Sequence, residues 1–179
     1  IVATLKDYPL GECEVKYTLD GESDAVILGL TLKESDAIFT NTFDIFKVEM
    51  DQMEGPYKSK VIPSETTFKC SIWLNEDIVT KLSNVYEAGA TGTAFSTAGK
   101  EMKFGKLEIH PMSAGISKEF DIIGPRVFCK IDTNISFKKD GQAKCDLTFE
   151  FSSDENPDSE TYRKLFTIGK YTKPSGIGG

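Results

Sequence analysis

At 179 residues the chain is the size of one domain and long enough to bury a core without disulfide or metal staples. Its apolar share of 39% and charged share of 27% exclude wholesale disorder. The net charge of −7 disfavours a basic, phosphate-gripping nucleic-acid binder, because such binding rests on Lys and Arg neutralising phosphates. The longest apolar run, Ala25 to Leu30, falls far short of the ~20 residues that cross a bilayer, so no membrane anchor is expected.

The chain starts Ile1-Val2-Ala3-Thr4-Leu5, with no basic region ahead of an apolar stretch, so no signal peptide is expected; the absent initiator Met suggests a processed start. Residues 1–10 read as an arm. Cys13–Leu19 and Ala25–Leu32 read as strands joined at Asp20-Gly21, and Thr42–Met50 as a third strand. Asp51–Pro63, with one Gly and two Pro, reads as a long inter-strand loop.

From Thr66 to Leu74 the even positions are Thr, Phe, Cys, Ile and Leu, while Glu65, Thr67, Lys69 and Ser71 fill the odd ones. This period of two describes a strand with one dry and one polar face. Trp73, the sole tryptophan, falls in the polar register. A single helix follows: Asn75 is a good N-cap, Glu76 and Asp77 put negative charge in the first turn, and Gly89 stands past the end. Ile78, Val79, Leu82, Val85 and Tyr86 form its apolar stripe. Ala88–Lys100, rich in Gly, Ala and Thr, reads as a connection.

Met102–Ile109 reads as a strand. Val127–Phe137 alternates again, with Lys130, Asp132, Asn134 and Ser136 on its polar face, and so does Ala143–Phe151; Asp140-Gly141 between them signals a hairpin. Residues 152–179 read as an acidic turn and a C-terminal segment. The fold class expected is mainly β, a β-sandwich or tandem sheets with one flanking α-helix, in a single domain spanning 1–179.

Catalytic signatures are sparse. His110 is the only histidine, so any Ser-His-Asp or Cys-His arrangement must use it, and before Pro111 at a strand end it reads as a surface or turn residue. No phosphate-binding glycine loop of either common form occurs. Asp154, Glu155, Asp158 and Glu160 could offer oxygens to calcium, but their spacing fits no EF-hand and a solvated loop is the simpler reading. Cys13, Cys70, Cys129 and Cys145 are widely spaced on apolar strand faces and read as reduced, buried hydrophobes, which suits synthesis in a reducing cytoplasm. No enzyme activity, cofactor or metal is expected. Two-faced strands and arms suit assembly, since exposed strand edges are pairing templates.

Several segments, in order, resemble the major tail tube protein of long-tailed, non-contractile bacteriophages. They are Gly11–Tyr17, Val48–Gln52 with the Pro-bearing loop after it, the alternating strand and short helix, Gly105-Lys-Leu-Glu-Ile-His110-Pro111, Lys144–Phe151, and Leu165–Gly169. The resemblance covers about 11–169 and implies a tandem-sheet β-sandwich that forms six-membered rings, stacked into a tube that conducts DNA into a bacterial host. It implies self-contacts, a tape-measure protein, tail terminator and tip proteins, and passing double-stranded DNA as partners, in a virion built in the host cytoplasm. It gives the loop, with Asp51, Gln52, Met53, Tyr57 and Lys58, an inter-ring role. It turns the polar faces toward the channel: Glu65, Thr67, Lys69 and Ser71 on one strand, Lys130, Asp132, Asn134 and Ser136 on another. The acidic balance leads to the expectation of a net-negative lumen. A contractile-tail or injection-system tube protein shares the same features, and a carbohydrate-binding β-sandwich using Trp73 belongs to a different class.

Overall fold

In the computed structural model, the residues described are 8–9, 11–28, 37–49, 56–74, 76–82, 86–88, 94–96, 101–135 and 143–170. The chain is mainly β. Its strands are β1 (Cys13–Leu19), β2 (Val26–Ile27), β3 (Ile38–Glu49), β4 (Pro56–Trp73), β5 (Tyr86–Ala88), β6 (Ala94–Ser96), β7 (Gly105–Pro111), β8 (Ile122–Asn134), β9 (Lys144–Phe151) and β10 (Thr167–Ile168), with helix α1 (Glu76–Leu82) between β4 and β5. Eight of the strands form one open antiparallel sheet, ordered β2-β1-β7-β8-β9-β4-β3 with β10 added against β8. The remaining two, β5 and β6, pair as a small hairpin.

The alternation read from the sequence sets which face is dry. Val15 and Tyr17 on β1, Leu107 and Ile109 on β7, Val127 and Cys129 on β8, Cys145, Leu147 and Phe149 on β9, and Phe68, Cys70 and Ile72 on β4 are all buried in one cluster. Val79 and Leu82 of α1 join the same cluster, so the helix lies on the dry face near β1 and β2. Lys81 in its last turn complements the negative end of the helix dipole. Tyr17 anchors the middle: its ring meets Phe149 at a tilt, 5.3 Å between centroids, and its hydroxyl donates to the Val127 carbonyl at 3.0 Å. Gly105 makes room for it, because a Cβ there would stand 2.4 Å from the Thr18 carbonyl oxygen and 2.8 Å from the Tyr17 ring.

Three expectations need correcting. The Asp51–Pro63 loop is mostly strand: β4 begins at Pro56 and pairs with β3 as far as Glu49↔Pro56. Its two prolines hid this, since proline has no ladder donor. Pro56 is the strand's first residue, and Pro63 borders a register shift that leaves Ser64 unmatched, both places where proline is tolerated. The helical stripe was drawn too long, because Tyr86 belongs to β5 rather than to α1. Ala88–Lys100 is not wholly a connection, as Ala94–Ser96 pairs with Tyr86–Ala88. The Asp20-Gly21 hairpin is present, with Gly21 at φ +90° and β1 paired to β2. The Asp140-Gly141 turn and most of the Ile1–Leu10 arm lie outside the described residues.

Candidate functional site

The residues read as polar strand faces come together. Cross-strand pairs Lys69↔Thr148, Ser71↔Asp146, Lys130↔Thr148 and Asp132↔Asp146 place β4, β9 and β8 side by side with these positions on one surface. Glu65 and Thr67 continue that surface along β4, and Asn134 stands on it opposite Lys144. Thr67 is the exception in accessibility, at 7% exposure, with its hydroxyl donating to Glu65 Oε1 at 3.3 Å. Ser136 lies outside the described residues. The surface extends across β7 and β1 through Lys106, Glu108, Glu14 and Lys16.

On this face of the single subunit the two signs of charge are mixed. Carboxylates and ammonium groups are interleaved: Lys69 pairs with Glu65, Lys130 with Asp132, Lys106 with Glu108 and Lys16 with Glu14. Such exposed pairs each contribute little to stability. What they produce is a wide, hydrophilic sheet face of mixed charge, on which Asp146 also stands opposite Asp132. Trp73 sits at one end of it, 45% exposed and opposite Lys144, as its register foretold.

The second feature is a projecting ribbon. β9 pairs with β4 only over Thr67–Trp73, so beyond that point β3 and β4 run on as a two-stranded ribbon. Every residue over 42–48 and 58–65 is exposed. Its base is anchored where Phe39 packs edge-on against Phe151 and Phe166 at 5.6 and 5.1 Å. Because side chains alternate, Phe43 and Ile45 continue the face of Phe39 and stand opposite Pro63 and Val61. The extra residue at Ser64 keeps that apolar face in register, and the Thr42 and Ser64 hydroxyls meet there at 2.9 Å. The opposite face carries Phe46, Val48 and Ile62 beside Lys58 and Lys60.

Thus the dry face of the sheet runs on past the core that covers it. Phe43, Ile45, Phe46, Val48, Val61 and Ile62 are 39–61% exposed. Phe43, Ile45 and Val61 lie on this face and Phe46, Val48 and Ile62 on its reverse, so both sides of the ribbon present apolar side chains to water. A two-stranded hairpin is marginal when it stands alone. In addition, β3 is a 12-residue edge strand, and among the described residues nothing pairs with its outer edge. At the other end of the sheet, β2 covers only two residues of β1.

Of the loop residues assigned an inter-ring role, Lys58 is exposed on the ribbon and Tyr57 is in β4, whereas Asp51, Gln52 and Met53 lie outside the described residues. The sequence reading missed Phe43, Ile45, Val61 and Ile62 as surface residues. Alternation through a strand is the usual sign of burial, and it gave no hint that the core would stop short.

The acidic turn is built as a self-contained loop. Asp154 accepts from the Asn156 amide at 3.0 Å and the Thr161 hydroxyl at 2.6 Å. Burial pushes its pKa up, but hydrogen bonds from Ser159, Thr161 and Asn156 outweigh this and hold it below the usual value. Glu155 pairs with Arg126 at 2.8 Å. His110 stands at the end of β7 as expected, but it is held there: its two ring nitrogens face Asp121 and the Gly115 carbonyl. Burial raises the pKa values of Cys70 to about 12 and Cys145 to about 11, the direction of inert thiols.

No protein-family model matches this chain, and no curated protein matches it either.

Proposed function

We propose that this protein is a structural subunit that assembles with copies of itself into rings, and that the rings stack into the tail tube of a long-tailed bacteriophage. The observation that carries the reading is the β3–β4 ribbon, an apolar extension of the sheet with an open 12-residue edge beside it. Joining the β3 edge of one copy to the β1–β2 edge of the next is a heterologous contact, and such contacts give closed rings when the rotation closes. The ribbon then reaches beyond its own subunit and covers its apolar side chains on a neighbour.

The mixed-charge face of β8, β9 and β4 suits a channel wall in this reading, because interleaved Lys and carboxylates offer a DNA phosphate chain no continuous grip. The tandem-sheet sandwich, the tape-measure and terminator partners, passage of double-stranded DNA and location in the virion all belong to the same proposal, on the motif order from 11 to 169. Negative-stain electron microscopy of concentrated protein, beside a light-scattering mass, tests it. Rings or tubes with a central hole are expected. A monomer at every concentration, also in the presence of preformed tail tips, would overturn it.

A further inference from the structure

The strongest cluster outside the assembly surface lies at the end of β7. His110, the chain's only histidine, sets Nδ1 at 2.5 Å from Asp121 Oδ1 and Nε2 at 2.8 Å from the Gly115 carbonyl oxygen. Both partners can only accept when Asp121 is ionised, so both ring nitrogens must donate, and the imidazolium is the form that satisfies both contacts. A neutral ring has one N–H and leaves one acceptor facing a lone pair.

What those contacts hold is the turn that follows β7, a 3-10 turn at Met112–Ala114 that reverses at Gly115 with φ +62°. This turn leads into Phe120 and Asp121, where both ends of the described chain are attached. The Tyr8 hydroxyl donates to the Phe120 carbonyl at 2.6 Å, and the two rings meet edge-on at 5.6 Å. The Gly169 amide donates to the Asp121 carbonyl at 2.8 Å, extending the pairing of Thr167 and Ile168 with β8. Asp121 itself is 8% exposed.

We propose that His110 is a proton-operated clasp: as the imidazolium it ties the 111–121 turn to the sheet end and so holds Tyr8 and Thr167–Gly169 in place, and on losing its proton it loosens both segments together. The inference stands independently of the tail-tube reading.

The charged groups around the ring favour the cation. Asp121 faces it from the turn, and Glu14 stands directly opposite on β1, itself bonded by Lys16. The Tyr8 hydroxyl lies near Asp121 and the Cys13 thiol, and Lys118 and Glu119 are exposed on the turn. The Asp121 hydrogen bond raises the imidazole pKa above its ordinary 6.5; burial pulls it down, and the Gly115 carbonyl and the Asp121 and Glu14 charges add to the rise. A raised folded-state value means the clasp is complete below 6.5 and opens as pH rises through the folded-state value.

With one histidine, the imidazole proton signals in NMR report this site without overlap. The experiment follows those signals, the Gly169 amide protection factor and the Tyr8–Phe120 ring contact against pH, in the full chain and in His110→Gln. In the wild-type chain protection is expected to fall about tenfold, the scale of one charge-assisted hydrogen bond, with the imidazole midpoint, and the ring contact to fade with it. His110→Gln is expected to show no such step. Protection that stays level through the titration, or the same step in His110→Gln, would overturn the clasp. Should His110→Gln fail to fold, Asp121→Asn serves: its imidazole midpoint drops and the step must drop with it, and a step that stays put refutes the proposal.

Discussion

Replacing Ile45 and Val61 together by Lys separates the fold of the subunit from its assembly. The two residues face each other across the ribbon, 61% and 58% exposed, on the face that continues from Phe39. Full burial of an aliphatic side chain stabilises by about 1.5–3 kcal/mol, so covering the exposed part of these two on a neighbour contributes about 2–3.5 kcal/mol per ribbon. Losing it weakens each contact roughly thirty- to three-hundred-fold, before the cost of burying two ammonium groups is added. The isolated subunit loses little: substitutions at exposed positions usually stay within about 0.5 kcal/mol, or about 2 °C in melting temperature for a chain of this size. Sedimentation velocity across a concentration series measures the first effect and a thermal melt of dilute protein the second. A double variant that assembles like the wild type would refute the role of the ribbon. One that melts many degrees lower as a monomer would show that the ribbon is packed within its own subunit.

Other expectations concern the body of the sheet. Phe149→Ala removes a fully buried ring between Tyr17 and Phe68 and should cost about 3–5 kcal/mol, read as a shifted urea midpoint with little change in slope. Tyr17→Phe keeps the ring but takes the hydroxyl from the Val127 carbonyl, and should cost about 1–3 kcal/mol in the same assay. Alkylation of the native chain should mark Cys13, which is half-buried, well before Cys70, Cys129 and Cys145; equal labelling of all four under native conditions would contradict the packing of the dry face. The melting-temperature gap between wild type and His110→Gln should be widest below pH 6.5 and close as pH rises through the folded-state imidazole value, since that value is raised; a gap that widens with pH would contradict the raised value.

Much of the sheet was legible in the sequence because its signal is local. Where every second residue from Thr66 to Leu74 or from Ala143 to Phe151 is apolar, only one face can be dry, and the structure buries Phe68, Cys70, Ile72, Cys145, Leu147 and Phe149 accordingly. The polar positions of β4, β8 and β9 therefore converged on one surface without any knowledge of strand order. The ribbon was not legible. Pro56 and Pro63 argue locally for a loop, and only pairing with β3 and the register shift at Ser64 show that a strand passes through both. Nor could the sequence say that Phe43 and Ile45 stand outside the core, because exposure depends on where the other strands end. The His110 contacts were missed for a related reason: Asp121 is 11 residues away, and no spacing rule joins a strand end to the close of the turn after it.

If the outer edge of β3 is a pairing edge for a second copy, amide hydrogen exchange along β3 reports it most directly. The experiment compares dilute subunit with concentrated or tip-nucleated material. The β3 amides directed away from β4 are expected to exchange fast in the dilute chain and to become protected, together with those at the β1–β2 edge, in the high-mass fraction. Unchanged exchange along β3 in material of high mass would contradict the pairing, since assembly would then proceed without that edge.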